Sequence, residues 1–132
     1  MAITDLNVLI KSMKPKLNTG QYAFCTLSES KLSALSVKPI MKFKEEEGIT
    51  IIVEKAMADA NAIAYQRTWA WITLTVNSDL TAVGFLAAIT KKLAEEGISV
   101  NAISAFYHDH LFVPHGKAKK AMTLLEELQY AG

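Results

Sequence analysis

The stretch WAWITLTVNSDLTAVG, from Trp69 to Gly84, constrains the fold more than any other part of the chain. Apolar and polar residues alternate through residues 69–76, and their aromatic and β-branched content favours a β-strand over a helix. One face of this strand has the composition of a core face: Ala70, Ile72, Leu74 and Val76. The opposite face carries Trp69, Trp71, Thr73 and Thr75. Because two indoles would leave a large apolar patch, we expect a second half or a second subunit to cover that face.

A polar elbow follows the strand. Asn77, Ser78 and Asp79 are residue types whose side chains cap helix N-termini. After them, apolar residues recur at three- and four-residue spacing, which predicts an amphipathic helix: Ala82, Val83, Leu86, Ile89 and Leu93. This predicted helix ends at Gly97. Gly84 would lie in its first turns, where glycine is unfavourable and suggests close approach of a neighbouring backbone or a ligand.

The elbow is the candidate ligand site. A strand-to-helix elbow presents free backbone amides at the positive end of the helix dipole, so an anion such as a carboxylate could bind there. The predicted ligand-binding residues are Asn77, Ser78, Asp79, Leu80, Val83 and Gly84. The alternative interpretation is structural, with Ser78 or Asp79 acting only as a cap and Gly84 only as a tight packing point.

Composition limits the classes of protein to consider. The chain has 132 residues, of which 51% are hydrophobic and 20% charged, and this predicts one compact unit or two very small halves sharing a core. A net charge of +1 argues against nucleic acid or a membrane surface as the main partner. Neither a transmembrane run nor a signal peptide is recognisable, so we expect a cytoplasmic location. The single Cys25 is interpreted as a small buried hydrophobe.

The order of predicted elements indicates an α+β, ferredoxin-like fold. From Trp69 the chain reads strand, helix, strand, strand, helix, a βαββα unit that gives a second half at residues 67–132. Upstream we predict a helix at 4–13, a strand at 21–27, a loop with one helical turn at 28–36, a short helix or turn at 40–48, a strand at 49–53 and a helix at 54–64. A weak internal repeat relates ITIIVEKAMADA to HLFVPHGKAKKA. The first half, residues 1–66, would then lack its own opening strand.

The run HDH lies in a predicted hairpin between strands at 98–107 and 110–113, with a tight turn at His108 and Asp109. Two imidazoles and a carboxylate are suitable ligands for a metal or for acid–base chemistry. A zinc site needs further ligands, which only the distant His115 obviously offers. The alternative is that Asp109 stabilises the turn by an Asx-type hydrogen bond while a histidine bonds to a neighbouring carbonyl. His108, Asp109 and His110 are therefore kept as additional site candidates.

Three segments resemble a known family of small bacterial proteins built from ACT-like domains: FKEEEGIT at 43–50, LTVNSDLTAVGF at 74–85 and GISVNAISAFYHDHLFVP at 97–114. The last ends in HDHLFVP, which is quite specific. The chain departs from the family at Asn77, where many members have His. The resemblance implies an ACT sandwich of two ACT-like halves with an antiparallel sheet and helices on one face, an amino-acid ligand, and homo-oligomers, such as dimers, formed by joining sheets.

Two functional hypotheses follow. The first is an amino-acid-binding regulatory module with no catalysis of its own. The second is a structural or interaction protein that uses the Trp face to bind a partner or itself, and a remote third is a metal-dependent enzyme at the His-Asp-His turn. The sequence has no nucleophile elbow, phosphate loop or dinucleotide pattern, so no enzyme class and no cofactor is predicted.

Overall fold

The structure is a computed structural model, and it describes residues 2–131. Within these residues the elements follow in this order: α1 (Leu6–Ser12), β1 (Pro15–Leu17), β2 (Tyr22–Leu27), α2 (Glu29–Ala34), β3 (Met41–Lys44), β4 (Ile49–Glu54), α3 (Lys55–Ala60), β5 (Trp69–Leu74), α4 (Phe85–Ala94), β6 (Asn101–Ser104), β7 (Asp109–Pro114), a short 3-10 helix (His115–Lys117) and α5 (Ala118–Tyr130). None of the helices in this part of the chain is long and apolar enough to cross a membrane.

The chain forms two compact units. Residues 20–69 make up the N-terminal unit, and residues 2–19 together with 70–131 make up the C-terminal unit. The sequence halves 1–66 and 67–132 stay a prediction. In space, residues 2–19 belong with the second half of the chain, which sequence analysis does not anticipate.

The C-terminal unit contains the predicted βαββα order of β5, α4, β6, β7 and α5. Its strands lie in the order β1-β5-β7-β6. Strand β1 runs antiparallel to β5, with Leu17 opposite Ile72, and supplies the fourth strand of a ferredoxin-like sheet. No sequence pattern predicts β1, because Pro15 and Lys16 interrupt any apolar alternation in this three-residue strand.

One face of the C-terminal sheet is covered by helices and forms the core. The predicted core face of β5 is confirmed, since Ala70, Ile72 and Leu74 are at most 1% exposed. They pack with buried residues of the helices, of the end of α1 and of β7: Leu9, Met13, Phe85, Ile89, Leu93, Leu111, Val113, Ala121, Leu124 and Leu125. On the other face Trp71 stacks on Phe112, with ring centroids 6.0 Å apart.

The N-terminal unit repeats the same order as β2, α2, β3, β4 and α3. Its strands are antiparallel in the order β3-β4-β2, and Trp69 pairs with Tyr22 on the outer side of β2. The prediction that this half lacks an opening strand is therefore wrong, because β2 takes that place. The short helix or turn predicted at 40–48 is also wrong. Its first half is strand β3, whose edge position lets Lys42, Phe43 and Lys44 remain exposed.

Several predicted boundaries shift. The hairpin turn lies at residues 105–108, closed by the Ala105 amide bonding to the His108 carbonyl at 3.0 Å, and not at His108 and Asp109. Asp109 is instead the first residue of β7. The helical turn predicted within the loop at 28–36 is longer in the structure, where helix α2 spans Glu29–Ala34 and its start is capped by the Ser28 hydroxyl.

Candidate functional site

The elbow between β5 and α4 is a loop of residues 75–84 that is tied to the start of the chain. The Ile3 amide donates to the Asn77 carbonyl at 2.8 Å, and the Asp79 amide donates to the Ile3 carbonyl at 2.9 Å. Ile3 and Ser78 thus form an isolated parallel bridge. The elbow is held as an extended segment before the chain turns towards α4.

Asp79 caps a turn and not a helix, which corrects its predicted role. Its Oδ1 accepts the Thr81 amide at 2.8 Å and also the Thr81 hydroxyl. The Ala82 amide closes the turn on the Asp79 carbonyl at 2.9 Å. The Thr81 side-chain hydrogen bond, followed by the backbone one, lowers the pKa of Asp79, so this carboxylate is ionised at neutral pH.

Helix α4 begins only at Phe85, after Gly84. Gly84 is the N-cap with φ of +89°, a left-handed conformation that glycine adopts without strain. This conformation is the reason for a glycine at position 84, which lies before the helix and not within its first turns as predicted. No side chain caps α4. The first intrahelical bond is from the Ala88 amide to the Gly84 carbonyl, at 2.9 Å, so the amides of Phe85, Leu86 and Ala87 have no partner within the helix.

A cavity of about 120 Å³ lies at this helix start. Its lining combines the first turn of α4 with hydroxyl and carboxyl groups: Ser78, Asp79, Leu80, Ala82, Gly84, Phe85, Leu86, Ala87, Ser104 and Asp109. The Ser78 hydroxyl donates to Asp109 Oδ2 at 2.9 Å, and both residues are only 6% exposed. The helix end favours an anionic group, while Asp79 and Asp109 favour a cationic one.

The structure brings together four of the six predicted site residues. Ser78, Asp79, Leu80 and Gly84 line the cavity. Asn77 instead lines a neighbouring cavity of about 390 Å³, which shares Asp79 and Leu80 with the first. Val83 lines neither and is 83% exposed, because the helical stripe that suggested it starts two residues later. Sequence reasoning missed Ser104, for which there is no signal, and the amides of residues 85–87.

The His-Asp-His run spans the end of the hairpin turn, at His108, and the first two residues of β7, Asp109 and His110, which lie on opposite faces of the strand. Asp109 points to Ser78, so the predicted Asx-type role in the turn is wrong. His108 donates from Nδ1 to the Val76 carbonyl at 3.2 Å, which agrees with the alternative in which a histidine bonds a carbonyl. Among residues 2–131, no group of three or more His, Cys, Asp or Glu side chains is placed to hold a metal ion.

His110 belongs to a hydrogen-bonded network on the helix-free face. Its Nδ1 accepts the Trp71 indole N–H at 3.0 Å and lies 3.2 Å from the Thr73 hydroxyl. Asn18 also donates to Thr73 Oγ1 at 3.0 Å. Burial, and next the nearby His108, lower the pKa of His110, while Asp109 opposes the shift. A neutral imidazole therefore accepts the Trp71 bond, and protonation at Nδ1 would remove it.

The fold and the elbow define the class of the protein: two ferredoxin-like units, one of which has a small polar cavity where a strand passes into a helix. The ACT domain family is matched twice, over residues 1–70 and over residues 66–127. The chain belongs to the ACT domain family, whose members are ligand-binding regulatory domains. No match to a curated protein was found.

Solved structures agree with this assignment. A Vibrio cholerae protein of unknown function, described as a possible transport protein, is 43% identical, with 94% of this chain and 95% of that chain covered and a TM-score of 0.85. The regulatory subunit of aspartate kinase from Thermus flavus is 10% identical over 86% of this chain and 95% of its own, with a TM-score of 0.67. Aspartokinase III from Escherichia coli, in complex with aspartate and ADP, is 12% identical over 88% of this chain and 33% of its own, with a TM-score of 0.65. The two kinase likenesses show a shared fold.

Proposed function

We propose that this protein is an amino-acid-sensing regulatory module, and that the cavity at the start of α4 holds a small α-amino acid. The observation that carries the proposal is the lining of this cavity, where uncapped helix amides and two carboxylates surround one small space. A zwitterion presents both of the charges that such a lining complements.

The α-carboxylate would bind at the first turn of α4. The amides of Phe85, Leu86 and Ala87 lack intrahelical partners, and the helix dipole adds a partial positive charge at the same end. The ten-residue helix is anchored by the buried side chains of Phe85, Ile89 and Leu93, so these amides are held in place before a ligand arrives.

The α-amine would bind to Asp109 and Asp79. The Ser78 hydroxyl occupies one oxygen of Asp109 and orients this carboxylate towards the cavity, while Asp79 is kept ionised by Thr81. Hydrogen bonds between an ammonium and a carboxylate in a partly enclosed site are stronger than neutral ones. The volume of about 120 Å³ favours amino acids with small side chains, since one water needs about 10–15 Å³ by the same measure.

The structural relatives support the regulatory part of the proposal. The Thermus flavus likeness is to a regulatory subunit of aspartate kinase. The choice of an amino acid as the ligand depends on the lining of the cavity, which combines helix amides with carboxylates.

A thermal-shift screen against the twenty amino acids tests the proposal. At 100 times its Kd a ligand adds ~2.7 kcal/mol to the free energy of unfolding, which raises the melting temperature of a domain this size by roughly 10 °C. We expect one or a few small amino acids to give a saturable rise, and their α-amides to give none. If no amino acid shifts the melting temperature at millimolar concentration, the proposal is wrong.

A matched pair of variants locates the binding. Asp109→Asn keeps the size of the side chain and removes the charge, so the Kd for the responding amino acid should rise about tenfold or more. Glu126→Gln, the same change at an exposed position on α5, should leave the Kd unchanged. Equal affinity of Asp109→Asn and the original chain would exclude this cavity as the binding site.

We also propose that copies of the chain associate as a dimer next to the elbow. Leu80, Phe106 and Tyr107 are more than 60% exposed, and Leu80 and Phe106 line the same cavity. This apolar cluster is a better basis for association than the Trp face, where Trp71 is occupied by Phe112 and His110. Analytical ultracentrifugation should show a dimer that Phe106→Ser weakens. A monomer at all concentrations would contradict this proposal.

A further inference from the structure

The N-terminal unit has a cavity of its own, of about 390 Å³, which is within the usual range for small-molecule sites. Aromatic side chains form much of its lining: Phe24, Tyr65 and Trp69. Polar groups come from Thr26, Gln66 and Arg67. No part of the amino-acid site proposed above contributes to this cavity.

The aromatic walls are held by specific contacts. Phe24 and Trp69 meet edge to face with centroids 5.6 Å apart. The Tyr65 hydroxyl donates to Asp59 Oδ1 at 2.7 Å, and Lys55 Nζ donates to Asp59 Oδ2 at 2.8 Å. The Lys55 hydrogen bond, with that of Tyr65 next, lowers the pKa of Asp59, so Asp59 stays ionised and keeps the Tyr65 ring in position.

The segment at the mouth of the cavity is fixed at both ends. Ile63, immediately before it, is 6% exposed and packs in the core of the N-terminal unit. Thr68, at its other end, donates from its hydroxyl to Gln21 Oε1 at 2.8 Å. Gln66 and Arg67 lie between these two anchors with exposed side chains, so their backbone is restrained while their polar groups stay accessible.

Arg67 is the only arginine in the sequence. Its side chain forms no hydrogen bond or ion pair with any other residue in the described range 2–131. Asp59, which positions Tyr65 at the cavity wall, accepts hydrogen bonds from Lys55 and Tyr65 and not from Arg67. An unpaired guanidinium beside an aromatic cavity matches a ligand with a planar anionic group and an apolar body, because its fork of N–H donors fits a carboxylate.

We propose that this cavity is a second small-molecule site, which takes a carboxylate joined to an aromatic or branched apolar body. The apolar body lies against Phe24, Trp69 and Tyr65, and the carboxylate pairs with Arg67. Unlike the cavity at α4, this site offers no carboxylate for an amine, so the ligand needs no α-amino group.

Calorimetric titration with 3-phenylpropanoate, which has no amine, tests this proposal on the whole chain. We expect saturable binding, and at least about tenfold weaker binding of the uncharged 3-phenylpropanamide, since the amide cannot form the ion pair. Absence of binding by 3-phenylpropanoate at ~10 mM, which corresponds to less than about 3 kcal/mol of affinity, would overturn the proposal. Equal binding of acid and amide would also overturn it.

Variants assign the binding to Arg67. Arg67→Gln should weaken 3-phenylpropanoate binding about tenfold or more, while Lys31→Gln, at an exposed lysine of the same unit, should not change it. Because Arg67 is exposed, both variants should keep the melting temperature of the original chain. Asp109→Asn should bind 3-phenylpropanoate normally, which separates this site from the amino-acid site. Unchanged binding by Arg67→Gln, or loss of binding in Asp109→Asn, would contradict the proposal.

Discussion

The two units pass from their first strand into their first helix in different ways. In the N-terminal unit only Ser28 separates β2 from α2, and the Ser28 hydroxyl accepts the Lys31 amide at 3.2 Å. In the C-terminal unit residues 75–84 separate β5 from α4, and no side chain caps the helix. One junction has a side-chain cap at its helix start, while the other leaves the first helix amides without partners in the helix, beside a cavity. The proposed amino-acid site therefore lies at the junction whose helix has no side-chain cap.

A second difference lies on the strand that packs beside each junction. Strands β4 and β7 have nearly the same burial pattern, and this pattern aligns Ile49 with Asp109. The sequence repeat aligns Ile49 with His110 instead, one residue later in β7. Ile49 is part of the hydrophobic core of the N-terminal unit. Asp109 is equally buried but bonds to Ser78 and faces the cavity. The same strand position is therefore apolar in the N-terminal unit and polar in the C-terminal unit.

The largest expected effect is a difference in stability between core mutations in helix α4 and in helix α2. Ile89 of α4 is 0% exposed, so Ile89→Ala should lower the free energy of unfolding by about 2–5 kcal/mol. Helix α2 has no fully buried residue, and Leu32→Ala should cost only about 1 kcal/mol. Urea denaturation measures both. Equal losses would mean that α2 is as firmly packed as α4.

The next effect concerns the glycine at the uncapped junction. Gly84→Ala should cost about 1–2 kcal/mol, because a Cβ is disfavoured at φ of +89°, while its nearest neighbour, Leu6 Cδ2 at 3.5 Å, is at ordinary contact distance. Gly116→Ala is the control, since no atom lies within 4 Å of its added Cβ. It should be neutral or stabilising by up to about 1 kcal/mol. Thermal unfolding of the two variants and of the original chain measures both effects, and equal stability of Gly84→Ala and the original chain would contradict the prediction.

Removing the cap at the other junction should have a smaller effect. Ser28→Ala should destabilise the chain by about 1 kcal/mol through loss of the bond to the Lys31 amide. Binding of an amino acid at the α4 cavity should not change. A change in Kd for Ser28→Ala would show that the two junctions are not independent in function.

The smallest effect is a pH dependence of stability between pH 7.5 and 5, which we expect from the C-terminal unit. His110 has a lowered pKa, so between that value and its unfolded value of about 6.5 the unfolded chain binds more protons, and stability falls as pH drops below about 6.5. The matching position in β4 is Thr50, which does not titrate. His110→Gln should flatten the slope of unfolding free energy between pH 7.5 and 5, whereas His115→Gln, at an exposed site, should preserve it. An unchanged slope in His110→Gln would assign the dependence to other groups.

Regular patterns in the sequence predicted the parts of the fold that local physics determines. The alternation of β5 identified Ala70, Ile72 and Leu74 as core residues, and helical spacing identified Ile89 and Leu93. In both cases burial has the same period as the secondary structure. The ACT resemblance is confirmed by the two family matches, and the βαββα order by the elements of the C-terminal unit.

The errors arise where partners are distant in sequence. Asp79 looks like a helix cap, but the hydrogen bonds between Ile3 and residues 77 and 79 extend the elbow and delay the helix to Phe85. Strand β3 was missed because an edge strand with lysines has little apolar alternation. Asp109 was predicted to stabilise a turn, and its actual partner, Ser78, is 31 residues away. No local pattern contains that information.

Helix α1 and strand β1 precede the N-terminal unit in the sequence, yet all the other elements of their own C-terminal unit follow it. Residues 20–69 contain a full βαββα unit within one continuous segment, and compact domains generally fold as units. Residues 2–19 must wait for β5 and for the elbow. Because the elbow that lines the cavity bonds to Ile3, the cavity forms only when two segments separated in sequence by the whole N-terminal unit have met, which is a non-local contact and slow to form in folding.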